Sequence, residues 1–254
     1  ISNDNSFISP LQSVAQSPLT PALLEDGTAN VDGNSTLYQN FLGQEQTGRF
    51  VTDIWRTTAN IYGDFYITDH LNFISEAGYD SNKQTAERFS GSLTEFASVG
   101  GFGTVSSANT ERYILTNYAK YKNTFGDLDV SATLGGSFEE TTRASQFTTG
   151  QQFPSDDLQT LDNAVIITNG GSNKTKYNFL SYFARSRFDI ANKYAITLSI
   201  RRDGSSRFGK DSQFGWFPAA SAAWTVSNER FLSNSRFLST LKIRGSWGIT
   251  GNAE

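Results

Sequence analysis

The sequence predicts an all-β chain: an antiparallel transmembrane β-barrel segment of about eight strands. Three observations lead there. Apolar and polar residues alternate with a period of two over most of the chain, short and long connections take turns between the alternating runs, and aromatic residues gather at the ends of those runs. A period of two sends successive side chains to opposite faces of a pleated strand. The pattern is clearest from Asn192 to Asn252, where Tyr194, Ile196, Leu198 and Ile200 oppose Ala195, Thr197, Ser199 and Arg201. In the last run, Leu241, Ile243, Trp247 and Ile249 oppose Lys242, Arg244, Ser246 and Thr250. One face is oil and the other tolerates water.

Two architectures satisfy such a sheet. A soluble sandwich hides the oil against a second sheet. A membrane barrel turns it to lipid and keeps the polar face for its lumen. The connections favour the barrel: short turns fall near 69, 125 and 192, and longer loops near 100, 162 and 208. Outer-membrane barrels sort their connections this way, with short periplasmic turns and long extracellular loops, whereas a Greek-key sandwich has no reason to. The link at 228–239 breaks the regularity. Tyr66, Phe125, Tyr177, Tyr194, Phe214, Trp216 and Phe217 sit near run ends, where interface girdles belong.

In order, residues 1–48 read as an irregular loop region. Pro10, Pro18 and Pro21 interrupt a Ser/Gln-rich run, and Glu25-Asp26-Gly27 and Asp32-Gly33-Asn34 are turn signals. Thr28–Gln39 has Asn30, Asp32 and Gly33 where a calcium loop would, but Thr28 and Gln39 replace its two strongest carboxylate ligands, so a plain turn is expected. Alternation begins at Arg49 and runs to the end. Trp55, Thr57, Ala59 and Ile61 share a face, and Thr68-Asp69-His70 turns into Leu71, Phe73, Ala77 and Tyr79. A Gly/Ser/Thr-rich loop is expected over 90–110, then a run at Arg112–Lys122 whose facing the sequence leaves open. After a turn at Asn123–Asp127, Leu128, Val130, Ala132, Leu134 and Phe138 oppose Asp129, Ser131, Thr133, Ser137 and Glu139. A long polar connection is expected over 150–174. Leu180, Tyr182, Ala184, Phe188 and Ile190 then lead through Ala191-Asn192-Lys193 into the final runs. Several runs exceed the roughly 9–11 residues that cross a bilayer, which large barrels allow by projecting beyond it.

Composition narrows the chemistry. With 254 residues and 37% hydrophobic content the chain can bury a core, yet no stretch approaches the ~20 apolar residues of a membrane helix. Cys is absent, so neither a disulfide framework nor a thiolate metal site is available. Met is absent too, and the sequence begins at Ile1 without a charged-then-apolar signal segment of its own, so the chain is expected to be a piece of a longer protein. A net charge of −4 with scattered Lys and Arg argues against nucleic acid as a partner.

No catalytic residue, cofactor site or metal site is expected. His70, the single histidine, lies in a turn, which leaves no Ser/His/Asp triad and no His-based zinc site. Asp156-Asp157 and Glu139-Glu140 are adjacent pairs whose members point oppositely on a strand, and both read as solvated charge. Gly100-Gly101-Phe102-Gly103 lacks the third glycine and the helix of a dinucleotide fingerprint, and reads as a flexible loop. Arg201-Arg202-Asp203-Gly204-Ser205-Ser206-Arg207 is either an anion-binding loop or a hairpin braced by Arg–Asp pairs, and turn chemistry favours the hairpin. Arg185, Arg187, Asp189, Lys242 and Arg244 are the inward candidates for a lumen or plug contact. No individual substrate-binding residue is selected.

Several blocks carry a family resemblance. R-R-D-G-S-S-R-F-G at 201–209, G-W-F-P-A at 215–219, W-T-V-S-N-E at 224–229 and L-K-I-R-G-S-W-G-I-T-G-N at 241–252 resemble, in order and spacing, the SusC/RagA family. S-P-L-Q at 9–12, Glu25-Asp26-Gly27 and the Leu71–Asp80 run are also similar to it. That family comprises TonB-dependent outer-membrane transporters of Bacteroidetes-type bacteria. The resemblance implies a barrel of about 22 strands filled by an N-terminal plug. It also implies energy from TonB, a SusD-like surface lipoprotein as lid, outer-membrane lipid as surroundings and an oligosaccharide or peptide as cargo. This stretch would supply residues 49–254 of barrel wall, with no plug, no TonB box and too few strands to close the barrel. Unpaired edges would keep the piece from standing alone in lipid. Two other readings stay open: a soluble β-sandwich or propeller module binding carbohydrate at the cell surface, and a β-rich glycan hydrolase.

Overall fold

The computed structural model describes residues 19–31, 40–94, 96–209, 213–232 and 237–251. Eight strands form one sheet in sequence order: β1 (Arg49–Thr68), β2 (Leu71–Ser90), β3 (Phe102–Phe125), β4 (Leu128–Gln151), β5 (Ile166–Ile190), β6 (Tyr194–Ser205), β7 (Phe214–Thr225) and β8 (Lys242–Gly248). Every connection is to the next strand, so the sheet is an up-and-down meander. The three short turns fall where the sequence puts them. Thr68 Oγ accepts from the His70 and Leu71 amides at 3.2 and 3.0 Å, closing β1 onto β2. Gly126 turns β3 into β4 at φ +60°. Ala191 and Asn192 both adopt positive φ, 52° and 55°, the requirement of a tight turn whose twist matches the strands it joins.

The long loops are shorter than expected, because the strands run on into them. β3 opens at Phe102, inside the loop expected over 90–110, and β4 and β5 extend to Gln151 and back to Ile166. β5 alone is 25 residues long. The physical reason is that ladder hydrogen bonds need only backbone. Where both faces of a strand are polar the sequence loses its alternation, but pairing continues. Residues 41–47 depart from expectation in another way. Within the region read as irregular, Phe41–Thr47 is a helix, α1.

The described chain divides into two compact units, and β1 to β5 contribute to both. The first comprises 1–56, 82–110 and 143–174. Asn40 caps α1 by accepting from the Leu42 amide at 3.1 Å, while its Nδ2 donates to the carbonyls of Ala22 and Asn30 at 2.6 and 2.9 Å. Gln46 accepts from the Ala29 amide and donates to the Gly27 carbonyl, tying the 19–31 segment to the helix. Gln44 donates to the Phe89 carbonyl at 3.2 Å and accepts from Ser90 Oγ at 3.0 Å. Phe89, 2% exposed, meets Phe153 edge-on at 4.9 Å. Around this core the Gly100–Gly103 stretch is loop only as far as Gly101 and then enters β3. Gly100 and Gly101 hold positive φ, the Gly100 carbonyl accepts from the Phe153 amide at 2.7 Å, and Phe102 already belongs to β3. A Cβ on Gly103 would stand 2.6 Å from the Phe153 ring. The Ser9–Gln12 block, and positions 32–39 of the calcium-like tract, lie outside the described residues.

The second unit comprises 57–81, 111–142 and 175–254, and holds the better-alternating strand segments together with β6, β7 and β8. Its apolar side chains do not pack against another layer. Ile196, Leu198, Ile200, Trp216 and Trp247 are 40–63% exposed. No second sheet covers them among the described residues.

Candidate functional site

The second unit presents a two-faced wall, and strand register sets its geometry. Tyr194 lies opposite Trp224, Ile196 opposite Phe188 and Ala222, and Leu198 opposite Ser186 and Ala220. Ile200 lies opposite Ala184 and Pro218, and Arg202 opposite Tyr182 and Trp216. On β8, Ile243 pairs with Trp224 and Trp247 with Ala220. The Tyr194–Trp224 and Tyr182–Arg202–Trp216 rows therefore bound a band of mostly aliphatic and small residues, with Phe188 and Trp247 inside it. From 194 to 202 the band runs about 27 Å along the strand at ~3.4 Å per residue. With strands tilted by about 40° it would stand roughly 21 Å tall, close to the ~25 Å apolar band of a transmembrane barrel.

The opposite face is polar. Arg185, Arg187 and Asp189 fall opposite Ser199, Thr197 and Ala195, while Arg244 and Lys242 fall opposite Ala223 and Thr225. The inward candidates thus share one face. Arg187 forks onto Asp189 on its own strand, with both bonds at 2.6 Å. Further along this face Asn72 donates to Asp64 at 2.7 Å, Thr58 to Asp80 at 2.9 Å and Tyr118 to Glu76 at 2.9 Å. Arg112 grips Glu139 through two bonds of 2.8 and 2.7 Å. These contacts decide the facing of Arg112–Lys122. Arg112 and Tyr118 point to the polar side, and Tyr113 and Leu115, 49% and 44% exposed, to the apolar side. Sequence reasoning missed these four cross-strand pairs; their signal was a polar donor facing a carboxylate on the neighbouring strand.

A pocket of about 430 Å³ opens on the polar face, lined by Glu139, Ser181, Arg201, Asp203, Phe179 and Phe217 among others. Its charges are already matched. Arg201 Nε reaches both Asp203 oxygens at 2.6 and 2.8 Å, and Nη2 donates to Ser181 Oγ at 3.0 Å. Such a surface offers hydroxyls, neutralised charges and aromatic faces, which suits a polar partner without a large net charge.

The Arg201–Arg207 block is a braced hairpin. Beyond the Arg201–Asp203 fork, the Arg207 guanidinium lies 3.8 Å from the Tyr177 ring centroid and Arg202 packs over Phe214 and Trp216 at 4.4 and 5.3 Å. The Ser206 amide donates to the Asn178 carbonyl at 3.0 Å. Gly204 is required here, since a Cβ would lie 2.3 Å from the Phe214 ring.

At the other strand ends, Glu229 joins two connections. It accepts from Lys193 Nζ at 2.8 Å, Tyr194 Oη at 2.6 Å and Trp224 Nε1 at 3.2 Å, while Asn228 donates to the Asn192 carbonyl at 2.7 Å. Tyr194 stacks on Trp224 with centroids 6.4 Å apart. Glu229 lies past the end of β7. The Lys193 and Tyr194 hydrogen bonds hold its carboxyl down at about 2. A depressed carboxylate stabilises the fold above its unfolded value, near 4.3, and that contribution disappears as pH falls toward the folded value. Carbon-13 detection of the Glu229 carboxylate should therefore give a midpoint about two pH units below that of a free glutamate, and Lys193→Gln should move it upward. A midpoint in the ordinary glutamate range would remove the hub.

Glu139 and Glu140 are separated as strand geometry demands, whereas Asp156 and Asp157 lie in the connection between β4 and β5 and not on a strand. Glu139 engages Arg112, whereas Glu140 engages Lys176 at 2.8 Å. Asp156 instead accepts from the Ser92 amide and hydroxyl at 2.8 and 2.5 Å. His70 sits in its turn with Tyr121 edge-on at 6.5 Å. Among the described residues no group of three or more His, Cys, Asp or Glu could hold a metal ion.

Comparison with known proteins agrees with this wall. TonB-dependent receptor P3 of Formosa agariphila is 29% identical over 89% of this chain and 24% of its own length. TonB-dependent receptor SusC of Bacteroides thetaiotaomicron is 34% identical over 53% of this chain and 13% of its own length. The chain thus spans about a quarter or less of the curated relatives it matches. A solved structure of the RagAB peptide transporter superposes with a TM-score of 0.78 at 23% identity, over 82% of this chain and 24% of that one. The model of the family described as "TonB dependent receptor-like, beta-barrel" matches residues 3–253. An unbroken meander, an uncovered apolar band on one face and a match along nearly the whole sequence converge: this chain belongs to the TonB-dependent receptor-like β-barrel family.

Proposed function

We propose that this chain is part of the barrel wall of an outer-membrane nutrient importer, the remainder supplying the plug and the TonB contact. The observation that carries the reading is the band bounded by the Tyr194–Trp224 and Arg202–Trp216 rows, exposed on one face while ion pairs crowd the other. A soluble sandwich would need a second layer over that band. The cargo is an oligosaccharide or a peptide, captured with a SusD-like surface lipoprotein and admitted when TonB displaces the plug. The polar face would then line the lumen or meet the plug, with residues 49–254 as wall and the segment before them leading in. Likeness to TonB-dependent receptor SusC and to a RagAB peptide transporter supports the importer reading.

Deleting the full-length gene in its Bacteroidetes-type host tests this directly. Growth on one oligosaccharide or peptide source should fall at least tenfold, with the tagged protein in the detergent-requiring outer-membrane fraction. A protein that stays monodisperse in buffer without detergent, or unimpaired growth on every glycan and peptide source, would overturn the reading.

A further inference from the structure

We propose that Arg202 is a docking site for a phosphate of the outer-leaflet glycolipid, a lipopolysaccharide phosphate. This rests on the membrane reading above but goes beyond it, since transport does not require it. Arg202 lies on the apolar face, not the polar one, opposite Tyr182 and Trp216 and one row beyond Ile200. It marks the end of the apolar band away from the tight turn at 191–193, the end that faces outward when that short turn and those near 69 and 126 are periplasmic. Its guanidinium is wedged against two rings, 4.4 Å from the Phe214 centroid and 5.3 Å from that of Trp216.

Its electrostatics differ from those of its neighbours. Arg112, Arg187 and Arg201 each fork onto a carboxylate. No ion pair of the described residues includes Arg202, and its buried Nε has no hydrogen-bond partner. Asp203, its neighbour in sequence, faces the other way and is held by Arg201. A half-buried guanidinium shielded by two rings and without a counter-charge among the described residues presents its terminal nitrogens to an anion in its surroundings. On a lipid-facing surface at headgroup depth that anion is a lipid phosphate, which a planar guanidinium fork fits. The ring cradle fixes the fork in place, so little side-chain entropy is lost on binding.

The test uses the full-length transporter in nanodiscs, containing purified lipopolysaccharide in one arm and phosphatidylglycerol in the other, with retained lipid counted by native mass spectrometry after a delipidating wash. Arg202→Gln should retain about fivefold to tenfold less lipopolysaccharide than the wild type, Arg202→Lys an intermediate amount, and phosphatidylglycerol retention should not change. Arg187→Gln, on the polar face, should behave as wild type. Heat-modifiable gel migration verifies a folded barrel, and Trp216→Leu provides a second route by opening the cradle. Undiminished retention by folded Arg202→Gln would overturn the proposal, as would equal loss in Arg187→Gln or equal loss of both lipids. Failure of the wild type to enter nanodiscs would instead sink the membrane reading, and this inference with it.

Discussion

Leu198→Lys is expected to destabilise the protein in a bilayer by about 2–4 kcal/mol, the cost of a lysine at the midplane of a barrel's lipid face. Leu198 is 50% exposed and stands at the middle of the apolar band, between the Tyr194 and Arg202 rows, opposite Ser186 and Ala220. A lysine there has no aqueous end within easy reach, since its side chain spans about 6 Å, roughly one row, while the Tyr194 and Arg202 rows each lie about 14 Å away. Ser221→Lys is the matched control. Ser221 sits on the polar face between Thr197 and Ser246, where the same ammonium stays hydrated, so a loss below about 1 kcal/mol is expected. Urea unfolding of the full-length chain in lipid vesicles measures both. Equal penalties would mean that the two faces meet the same surroundings, and the membrane assignment of the Leu198 face would fall.

The second large effect concerns Gly43. Helix propensity alone predicts that Gly43→Ala stabilises α1 by about 1 kcal/mol. Structure predicts the opposite sign. A Cβ at residue 43 would lie 1.9 Å from the Leu93 carbonyl oxygen and 3.0 Å from its carbon, and backbone atoms cannot rotate away as a side chain can. Relief requires α1 to move off the 89–94 segment, which strains the Gln44 contacts to Phe89 and Ser90. A net destabilisation of about 1–3 kcal/mol is expected, the usual range for overpacking. Hydrogen exchange would show it as faster exchange across 41–47, together with 89–94. Slower exchange than wild type would mean that propensity wins and that the close approach of α1 to Leu93 is absent in solution.

Much of the architecture was legible from residues alone, because the signals involved are local. Alternation in Tyr194–Ile200 and in Leu241–Ile249 needs no knowledge of neighbouring strands, since the pleat itself assigns the faces. Turn chemistry at 69, 126 and 191–192 is likewise set by a few adjacent residues. The motif blocks at 201–209 and 224–229 carried the family with them. Their structural reasons emerged only with the fold: Gly204 clears the Phe214 ring, and Trp224 and Glu229 belong to one hydrogen-bonded hub.

Other features depend on partners distant in sequence. The outer parts of β3, β4 and β5 lack an oily face, so nothing in their residues distinguishes ladder from loop; a paired neighbour does. α1 has 7 residues, too short to persist on propensity, and it stands because Asn30, Phe89 and Ser90 are brought to it. The facing of Arg112–Lys122 waited on Glu139 and Glu76 from the adjoining strands. Sequence by itself determined the fold class, the alternating faces and the family, all of which follow from nearest-neighbour geometry and recognisable blocks. Tertiary structure alone decided which charges are matched and which, like Arg202, are left to the surroundings, because a charge is neutralised by what lies across the strand and not by what precedes it in the chain.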